Sequence, residues 1–242
     1  MTGLDHRSLG ARETAALACS LATGAYLVPA LAYYLAPLRA ALDIATTTLD
    51  RRGYALTFDD GPHRDGTPAV LELLQRRGVH ATFFLVGEQV ARNPSLAHEI
   101  VAAGHGVGLH CDRHRNLLRL GPRAVAADIA RARARIEDAT DRPIERYRPP
   151  YGIFNAAALA IARTNGWRSL LWTRWGRDWE ARATPESIAA RLVGGGVADG
   201  SVLLLHDADD YGADGSWRRT VAALPRVLDE LAEQGLEPSL AV

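Results

Sequence analysis

The sequence predicts an α/β fold in which helices cover a mostly parallel sheet that is closed, or nearly closed, into a barrel. From Tyr54 onward, short apolar segments alternate with amphipathic helical patterns, which is typical of parallel sheets because crossover helices cover both faces. About seven strand candidates occur without an internal reversal, which favours closure of the sheet. Since no repeat, linker or composition break follows residue 54, we expect one domain over residues 53–242 and an N-terminal extension over residues 1–52.

Composition restricts the class of protein and of partner. The 242 residues are 48% hydrophobic and 23% charged, which is ordinary for a globular protein with a full core. The 28 basic and 28 acidic residues give a formal net charge of zero, so no global field attracts nucleic acid or anionic lipid. Cys19 and Cys111 are too few for a disulfide framework and leave the redox compartment open. We expect a monomer without a nucleic-acid partner.

The N-terminal extension contains an uncharged segment, residues 14–38, that has two interpretations. Its length could span a bilayer as an anchor or an uncleaved signal, with Arg7 and Arg12 on the cytoplasmic side. However, it is rich in alanine and contains Pro29 and Pro37, and a proline inside a bilayer leaves carbonyl groups unpaired. The alternative is one or two helices packed on the outside of the domain. The first interpretation predicts a protein of the cell envelope or the extracellular space, tethered to the membrane, and the second leaves a cytoplasmic location open.

Turn residues and helix caps divide the domain into elements. The strand candidates are short apolar segments bounded by turn-forming residues. In chain order, five of them are residues 54–58, 79–86, 107–110, 169–172 and 201–205. Helix starts are predicted from side chains that can cap a helix, several of them followed by proline. These caps are Thr67, Asn93, Asn155 and Thr184, and further helices are predicted to start at Pro122 and at about Val221.

The first strand candidate ends in two adjacent acids. It reads Tyr-Ala-Leu-Thr-Phe-Asp-Asp-Gly-Pro, from Tyr54 to Pro62. Adjacent side chains of a regular strand point to opposite faces, so Asp59 and Asp60 can serve one site only if the chain turns there. Gly61 and Pro62 permit such a turn. A solvated turn without function is the alternative for this segment taken alone.

Other polar residues also fall where predicted strands end. They are His110 with the nearby His114, Arg148, Asp178, and His206 with Asp207. Because the carboxyl ends of parallel strands meet at one edge of the sheet, we expect these side chains to form one site with the two acids.

The two histidines, His110 and His114, suggest a metal site. A spacing of four residues would place both imidazoles on one face of a helical turn, although such pairs also occur among surface and core histidines. Two neutral imidazoles and one carboxylate leave an open coordination position, which is the arrangement of catalytic zinc. The second of the two neighbouring acids would then be free for proton transfer.

Together, five ordered segments resemble the motifs of polysaccharide deacetylases, carbohydrate esterase family 4, also called the NodB homology domain. The segments are Thr57 to Pro62, His110-x-x-x-His114, Arg148 to Gly152, Asp178-Trp179, and Leu204 to Asp207. The resemblance covers about residues 53–240 and matches in order and spacing. It implies a distorted (β/α)7-type barrel that removes acetyl groups from sugars with a divalent metal ion, zinc first and cobalt, nickel or manganese as alternatives.

The resemblance also implies a role for each motif residue. The metal ligands would be Asp60, His110 and His114. Asp59 would be the general base that activates water, and Arg148 would hold Asp59. A carboxylate beside arginine stays ionised and can therefore accept a proton.

The later motifs would supply the acid and the oxyanion donor. His206 would protonate the leaving amine or alcohol, and Asp178 would keep His206 charged, because a neighbouring carboxylate raises the pKa of histidine. The backbone amide of Tyr151 would help stabilise the oxyanion. The substrate-binding residues would be Pro150, Tyr151, Trp175, Trp179 and Leu204.

Two positions depart from the family pattern. Cys111 stands where members usually have Ser or Thr, and a thiol is a weaker hydrogen-bond donor. Trp175 stands where the fourth motif often has another Asp. With Trp172 and Trp179 it could form an aromatic wall for sugar rings, although we expect at least two of the three in the core and Trp175 facing substrate. The acidic loop over residues 207–215 is interpreted as a rim of the substrate site rather than a calcium loop.

The leading hypothesis is an N-deacetylase for a glycan of N-acetylglucosamine type, such as a chitooligosaccharide or a peptidoglycan-type sugar. Carbohydrate O-acetyl ester hydrolysis and a catalytically inactive glycan-binding module are the alternatives. A glycosidase needs two carboxyl groups roughly 5 to 9.5 Å apart across the glycosidic bond, and neighbouring Asp59 and Asp60 are poorly placed for that.

Overall fold

The structure, a computed structural model, describes residues 11–241. The strands are β1 (Ile44–Ala45), β2 (Tyr54–Asp59), β3 (Thr82–Val86), β4 (Gly106–Cys111), β5 (Arg146–Tyr147), β6 (Arg168–Leu170), β7 (Arg174–Trp175), β8 (Ser201–His206) and β9 (Pro238–Ser239). The helices are α1 (Ala11–Leu27), α2 (Ala36–Ala41), α3 (Gly66–Arg77), α4 (Gly87–Arg92), α5 (Pro94–Ala102), α6 (Pro122–Thr140), α7 (Ala156–Thr164), α8 (Pro185–Val193) and α9 (Ser216–Glu233). Short 3-10 helices cover Val28–Tyr33, Leu117–Arg119 and Pro150–Gly152.

The strands form one curled, parallel sheet with helices around it. The strand order is β1-β6-β5-β4-β3-β2-β8-β7, and β9 pairs with the start of β2. Within the described residues β7 and β1 do not pair, so the sheet is an open half-barrel of the predicted α/β type. Asp59 of β2 is in register with His206 of β8, which brings the ends of these two strands to one level.

A hydrophobic core between sheet and helices fixes the central strands. Phe58 and Phe83 from adjacent strands are fully buried and stack with ring centroids 5.1 Å apart. Burying such a side chain contributes about 1.5–3 kcal/mol relative to leaving it exposed. This packing holds β2 and β3 side by side and thereby positions the acids that follow β2.

The N-terminal extension packs against the sheet domain. Ile44 in β1 pairs with Ser169 in β6 and so adds a strand to the sheet edge. The hydroxyl of Tyr26 donates a hydrogen bond to the carbonyl of Leu120 at 2.8 Å and accepts one from Asn155 at 2.8 Å. Over residues 11–241, every helix is too short or too polar to cross a membrane. Arg7, which the membrane-anchor interpretation used, lies outside the described residues.

The predicted helix caps have mixed outcomes. The side chains of Asn155 and Thr184 accept hydrogen bonds from backbone N–H groups in the first turns of α7 and α8, as predicted. The predicted cap at Thr67 is wrong, because α3 starts at Gly66 and the hydroxyl of Thr67 donates to Asp207 instead. Asn93 precedes α5 but makes no capping hydrogen bond with its side chain.

Candidate active site

Two acidic residues face one pocket because the chain turns where β2 ends. Asp59 is the last residue of β2. Asp60 has a φ of 82°, in the left-handed region, so its side chain leaves the alternation of the strand and lines the same pocket as Asp59. A Cβ at Gly61 would lie 2.4 Å from the carboxylate of Asp207, so this close approach requires glycine.

Asp60, His110 and His114 form a cluster of metal-ligating side chains. Nε2 of His110 lies 3.5 Å and Nε2 of His114 lies 3.4 Å from Oδ1 of Asp60. The potential ligand atoms of the three residues all lie within 4.8 Å of one another. The helical turn predicted for the two histidines is wrong, because β4 continues through Cys111 and His114 lies in the loop that follows. The two imidazoles nevertheless converge on one carboxylate.

The protonation of this cluster suits a divalent cation. Burial lowers the pKa of both His110 and His114 to about 3, so both imidazoles are neutral at neutral pH. Nδ1 of His110 donates to the carbonyl of Arg148 at 2.8 Å, which leaves the lone pair of Nε2 for a ligand. Burial raises the pKa of Asp60 to about 7, and its Oδ1 has no hydrogen-bond partner within residues 11–241. A buried oxygen without a donor, between two neutral imidazoles, fits a metal ion.

Arg148 is fully buried and holds the other acid, Asp59. Nη1 of Arg148 donates to Oδ1 of Asp59 at 2.7 Å and to the hydroxyl of Thr57 at 2.9 Å. Its remaining nitrogen atoms donate to the carbonyl groups of Leu170 and Leu171. Burial raises the pKa of the Asp59 carboxyl, and the guanidinium of Arg148 opposes that rise. The sequence predicted only the effect of Arg148. Burial, by raising the pKa, makes Asp59 a stronger base than an exposed carboxylate.

His206 is held beside the same pocket by Asp178. Nδ1 of His206 donates to Oδ1 of Asp178 at 2.9 Å, and its Nε2 lies 3.9 Å from Oδ2 of Asp60. Oδ2 of Asp178 accepts from the backbone N–H of His206 and from the hydroxyl of Thr220, both at 2.7 Å. Burial alone would lower the pKa of His206, but the charge and hydrogen bond of Asp178, with the charges of the neighbouring acids, raise it to about 10. His206 is therefore protonated at neutral pH and can donate a proton from Nε2.

The pocket around these groups has aromatic walls and a volume of about 380 Å³. Trp172, Trp175 and Trp179 are all half-buried and all line it, although the sequence favoured the core for at least two of them. Further predicted residues that line the pocket are Tyr151 and Leu204. Pro150 is buried in the turn before Tyr151 and does not line it.

Two tyrosines of the pocket were not identified from the sequence. Tyr33 comes from the N-terminal extension and stacks on Trp175 with ring centroids 5.8 Å apart. Tyr211 follows β8, stacks on His114 at 4.5 Å and donates to Glu88 at 2.8 Å. Neither tyrosine belongs to a motif. The only sign in the sequence was an aromatic residue in an otherwise uncharged segment, for Tyr33, and in the acidic loop, for Tyr211.

The loop that carries His114 is anchored by Asp128 of α6. Oδ2 of Asp128 accepts from the backbone N–H of Asp112 at 2.8 Å, and Oδ1 accepts from Arg115 at 2.6 Å. The carboxylate of Asp112 in turn accepts from two arginines of α6. Cys111 is buried beside these groups. The charged network therefore supports the loop next to Cys111, where the resemblance led us to expect a hydroxyl.

A second group of potential ligand atoms lies where the acidic loop meets the segment after β2. His63, Asp209 and Asp210 bring such atoms within 4.8 Å of one another, but their side chains are half-exposed or exposed. Asp209 accepts from the backbone N–H of Gly215 at 2.7 Å, and Nδ1 of His63 accepts from that of Gly66 at 2.9 Å. Asp209 and His63 therefore stabilise the loop beside the pocket through hydrogen bonds within the protein.

Comparison with known proteins gives a consistent result. Residues 46–170 match the family model described as polysaccharide deacetylase. A peptidoglycan-N-acetylglucosamine deacetylase of Bacillus cereus is 37% identical over 183 residues, which cover 75% of this chain and 82% of the relative. A chitooligosaccharide deacetylase of Bradyrhizobium sp. is 35% identical over 193 residues, which cover 77% of this chain and 87% of the relative. A solved peptidoglycan N-acetylglucosamine deacetylase in complex with a naphthalenyl-N-oxidanyl-benzamide superposes with a TM-score of 0.75 at 27% identity, over 82% of this chain and 90% of that chain.

Proposed function

This chain belongs to the polysaccharide deacetylase family, and we propose that it removes N-acetyl groups from a glycan by metal-dependent hydrolysis. The observation that carries this function is the cluster of Asp60, His110 and His114 with Asp59 and His206 beside it in one pocket. The two relatives are deacetylases for peptidoglycan N-acetylglucosamine and for chitooligosaccharide. The substrate class is therefore an N-acetylated glycan.

Asp60, His110 and His114 would hold the cation. Two imidazole nitrogens and one carboxylate oxygen form a donor set that leaves a coordination position open. We assign zinc to it, and cobalt, nickel or manganese are alternatives for the same donors. When bound, the cation would lower the pKa of water and polarise the acetyl carbonyl group.

Asp59 and His206 move the protons of the reaction. Oδ2 of Asp59 accepts a proton from the attacking water, while Arg148 holds Oδ1 of the same carboxylate. Nε2 of His206 donates a proton to the departing amine nitrogen, since Asp178 keeps the imidazolium charged. The backbone N–H of Tyr151 donates to the acetyl oxygen as negative charge develops there. Base and acid thus start from opposite protonation states.

The aromatic pocket would bind the sugar rings. Trp175 and Trp179 offer flat apolar faces, and Leu204 of β8 lines the same pocket. Because glycans of the peptidoglycan type belong to the cell envelope, we place the protein there or outside the cell. The uncharged residues 14–38 would tether it to the surface of the membrane, since no helix over residues 11–241 can cross a bilayer.

Acetate release tests this function. The full chain is loaded with zinc and incubated with N-acetylated chitooligosaccharide and with peptidoglycan, and acetate is measured. We expect release that a chelator abolishes and added zinc restores. Asp59→Asn should lower kcat by at least about 100-fold, because it removes the base, and should leave the zinc content unchanged. Asp209→Asn, an acid of the rim loop, is the matched control and should keep kcat near that of the unchanged protein.

Three outcomes would contradict the proposal. Stoichiometric zinc without acetate release from any N-acetylated glycan excludes N-deacetylation. Release from O-acetylated sugars alone identifies an esterase. Glycan binding by a protein that takes up no divalent cation identifies an inactive binding module.

A further inference from the structure

A second cavity lies beside the catalytic pocket and is lined by arginines. It has a volume of about 390 Å³, and Arg39, Arg174 and Arg191 contribute to its walls, while no acidic residue does. We call it the arginine cavity. Arg39 comes from α2, whereas Arg174 and Arg191 come from the consecutive elements β7 and α8. In a chain whose formal net charge is zero, this cavity concentrates positive charge without a compensating carboxylate.

The arginines are oriented by backbone groups rather than by ion pairs. Nη1 of Arg39 donates to the carbonyl of Ala32 at 3.2 Å. Nη1 of Arg174 donates to the carbonyl groups of Leu192 and Gly194 at 3.0 and 2.9 Å. Within residues 11–241, neither these two arginines nor Arg191 forms an ion pair with a carboxylate. Each guanidinium therefore keeps its charge and several N–H donors for a ligand.

The arginine cavity and the catalytic pocket share a wall. Tyr33, Trp172 and Trp175 line both of them. Tyr33 packs edge-on against Trp172 with ring centroids 5.9 Å apart, and the two tryptophans are 5.5 Å apart. A substrate bound in the catalytic pocket can thus extend across the edge of this aromatic wall to the arginines.

We propose that the arginine cavity binds a phosphate group carried by the glycan whose N-acetyl group is removed in the catalytic pocket. This inference rests on the proposed deacetylase function. Guanidinium groups bind phosphate oxygens in a bidentate geometry. The three arginines carry three positive charges with no acid among them, which suits a phosphate better than a ligand with a single carboxylate. The phosphate lies on the acetylated sugar or on the sugar next to it, because only the aromatic wall separates the two cavities.

The surface beside the wall suggests one source of such a phosphate. Of the eight large hydrophobic side chains that are exposed in the described residues, six lie in the N-terminal extension: Leu21, Val28, Leu31, Tyr34, Leu35 and Leu49. Tyr33 and Arg39 belong to the same segment of chain. An apolar surface of this kind next to a phosphate site fits a sugar phosphate that carries a lipid chain. A phosphorylated soluble glycan is the other source of the same chemistry.

A pair of matched substrates tests the inference. The zinc-loaded full chain is assayed for acetate release from N,N′-diacetylchitobiose and from its 1-phosphate. We expect kcat/KM to be at least about tenfold higher for the phosphate, as charge-assisted hydrogen bonds imply. Arg191→Gln, alone and with Arg39→Gln, should remove most of this ratio. Arg123→Gln changes an exposed arginine of α6 and should keep it. A third substrate, the same phosphate with a prenyl chain, distinguishes the sources: a further gain indicates the lipid-linked form, and an equal rate indicates the soluble form.

The inference is overturned if the ratio of kcat/KM for the 1-phosphate to that for the neutral sugar is near one in the unchanged protein, or if Arg191→Gln leaves this ratio unaltered. Acetate release from the neutral sugar in the same assay would still support the deacetylase function. Binding decides the case in which neither sugar is hydrolysed. Titration calorimetry with the 1-phosphate should then show weaker binding for Arg191→Gln than for the unchanged protein and for Arg123→Gln. Equal affinity in all three proteins excludes the site. Urea unfolding of each variant verifies that it is folded.

Discussion

The buried pair of Arg148 and Asp59 allows a quantitative test of how the site is built. Arg148→Met removes a cation that is fully buried and leaves the Asp59 carboxylate without its partner. Breaking one side of a buried ion pair costs about 3–5 kcal/mol of unfolding free energy. Methionine fits the space beside Phe84, whose ring lies 4.0 Å from the guanidinium carbon, so the loss reports the missing charge and hydrogen bonds rather than a large cavity.

A double-mutant cycle separates the pair from its surroundings. Asp59→Asn leaves Arg148 buried without an opposing charge, whereas the double variant Arg148→Met/Asp59→Asn leaves neither charge. We expect the double variant to be destabilised by at least about 1 kcal/mol less than the sum of the single variants, because residues in one buried ion pair couple by 0.5–3 kcal/mol. Thr57→Val serves as a control, since it removes the other acceptor of the same Nη1 and leaves the charges in place.

Urea unfolding followed by circular dichroism measures the unchanged protein, the two single variants, the double variant and Thr57→Val. The m-values must agree, so that differences in midpoint report stability. If the effects of the two single variants add within about 0.5 kcal/mol, the two charges do not depend on each other, and the account of Arg148 as the group that holds Asp59 is refuted.

Three further predictions concern groups around the pocket. Asp178→Asn should move the alkaline limb of kcat/KM to lower pH by about 1–3 units, because activity falls as His206 loses its proton and Asp178 raises the pKa of His206; an unmoved limb in the pH profile would refute this. Asp128→Asn should raise the zinc Kd by at least about tenfold, since it releases the loop of His114; a competition titration with an unaltered Kd would count against it. Burial raises the pKa of Asp207 to about 7, so its protonated form stabilises the fold and this stability is lost as pH rises towards 7. Urea unfolding should therefore show the stability difference between the unchanged protein and Asp207→Asn falling by about 1.4 kcal/mol per pH unit from pH 4 to 7.

Much of the site follows from one rule applied to the sequence. The carboxyl ends of parallel strands meet, so polar residues at predicted strand ends converge whatever the details of the strands. That rule brings together Asp59, Asp60, His110, Arg148 and His206, all of which the structure places around one pocket or directly beneath it. It does not depend on local conformation, which explains why the convergence holds although the helical turn expected for His110 and His114 does not occur.

Contacts between distant segments were not predictable in the same way. Tyr33 reaches the pocket only because the N-terminal extension folds back over β7, and no periodicity or motif encodes that path. Asp128 left a weak signal, since it is a charged residue next to an isoleucine, Ile129, in the helix predicted to start at Pro122, and both side chains are buried. A buried carboxylate needs donors, so such a residue indicates a polar partner but does not identify it.

Trp175 connects the departure from the family pattern with the architecture of the pocket. An aspartate at this position would present a charge between the catalytic groups and the arginines. Tryptophan instead stacks on Tyr33 and separates the carboxylates of the catalytic pocket from the guanidinium groups of the arginine cavity. Opposite charges on the two sides of an apolar wall do not neutralise each other by direct contact. The arginines therefore remain available to an anion, and the acids remain available to a cation and to the proton transfers of hydrolysis.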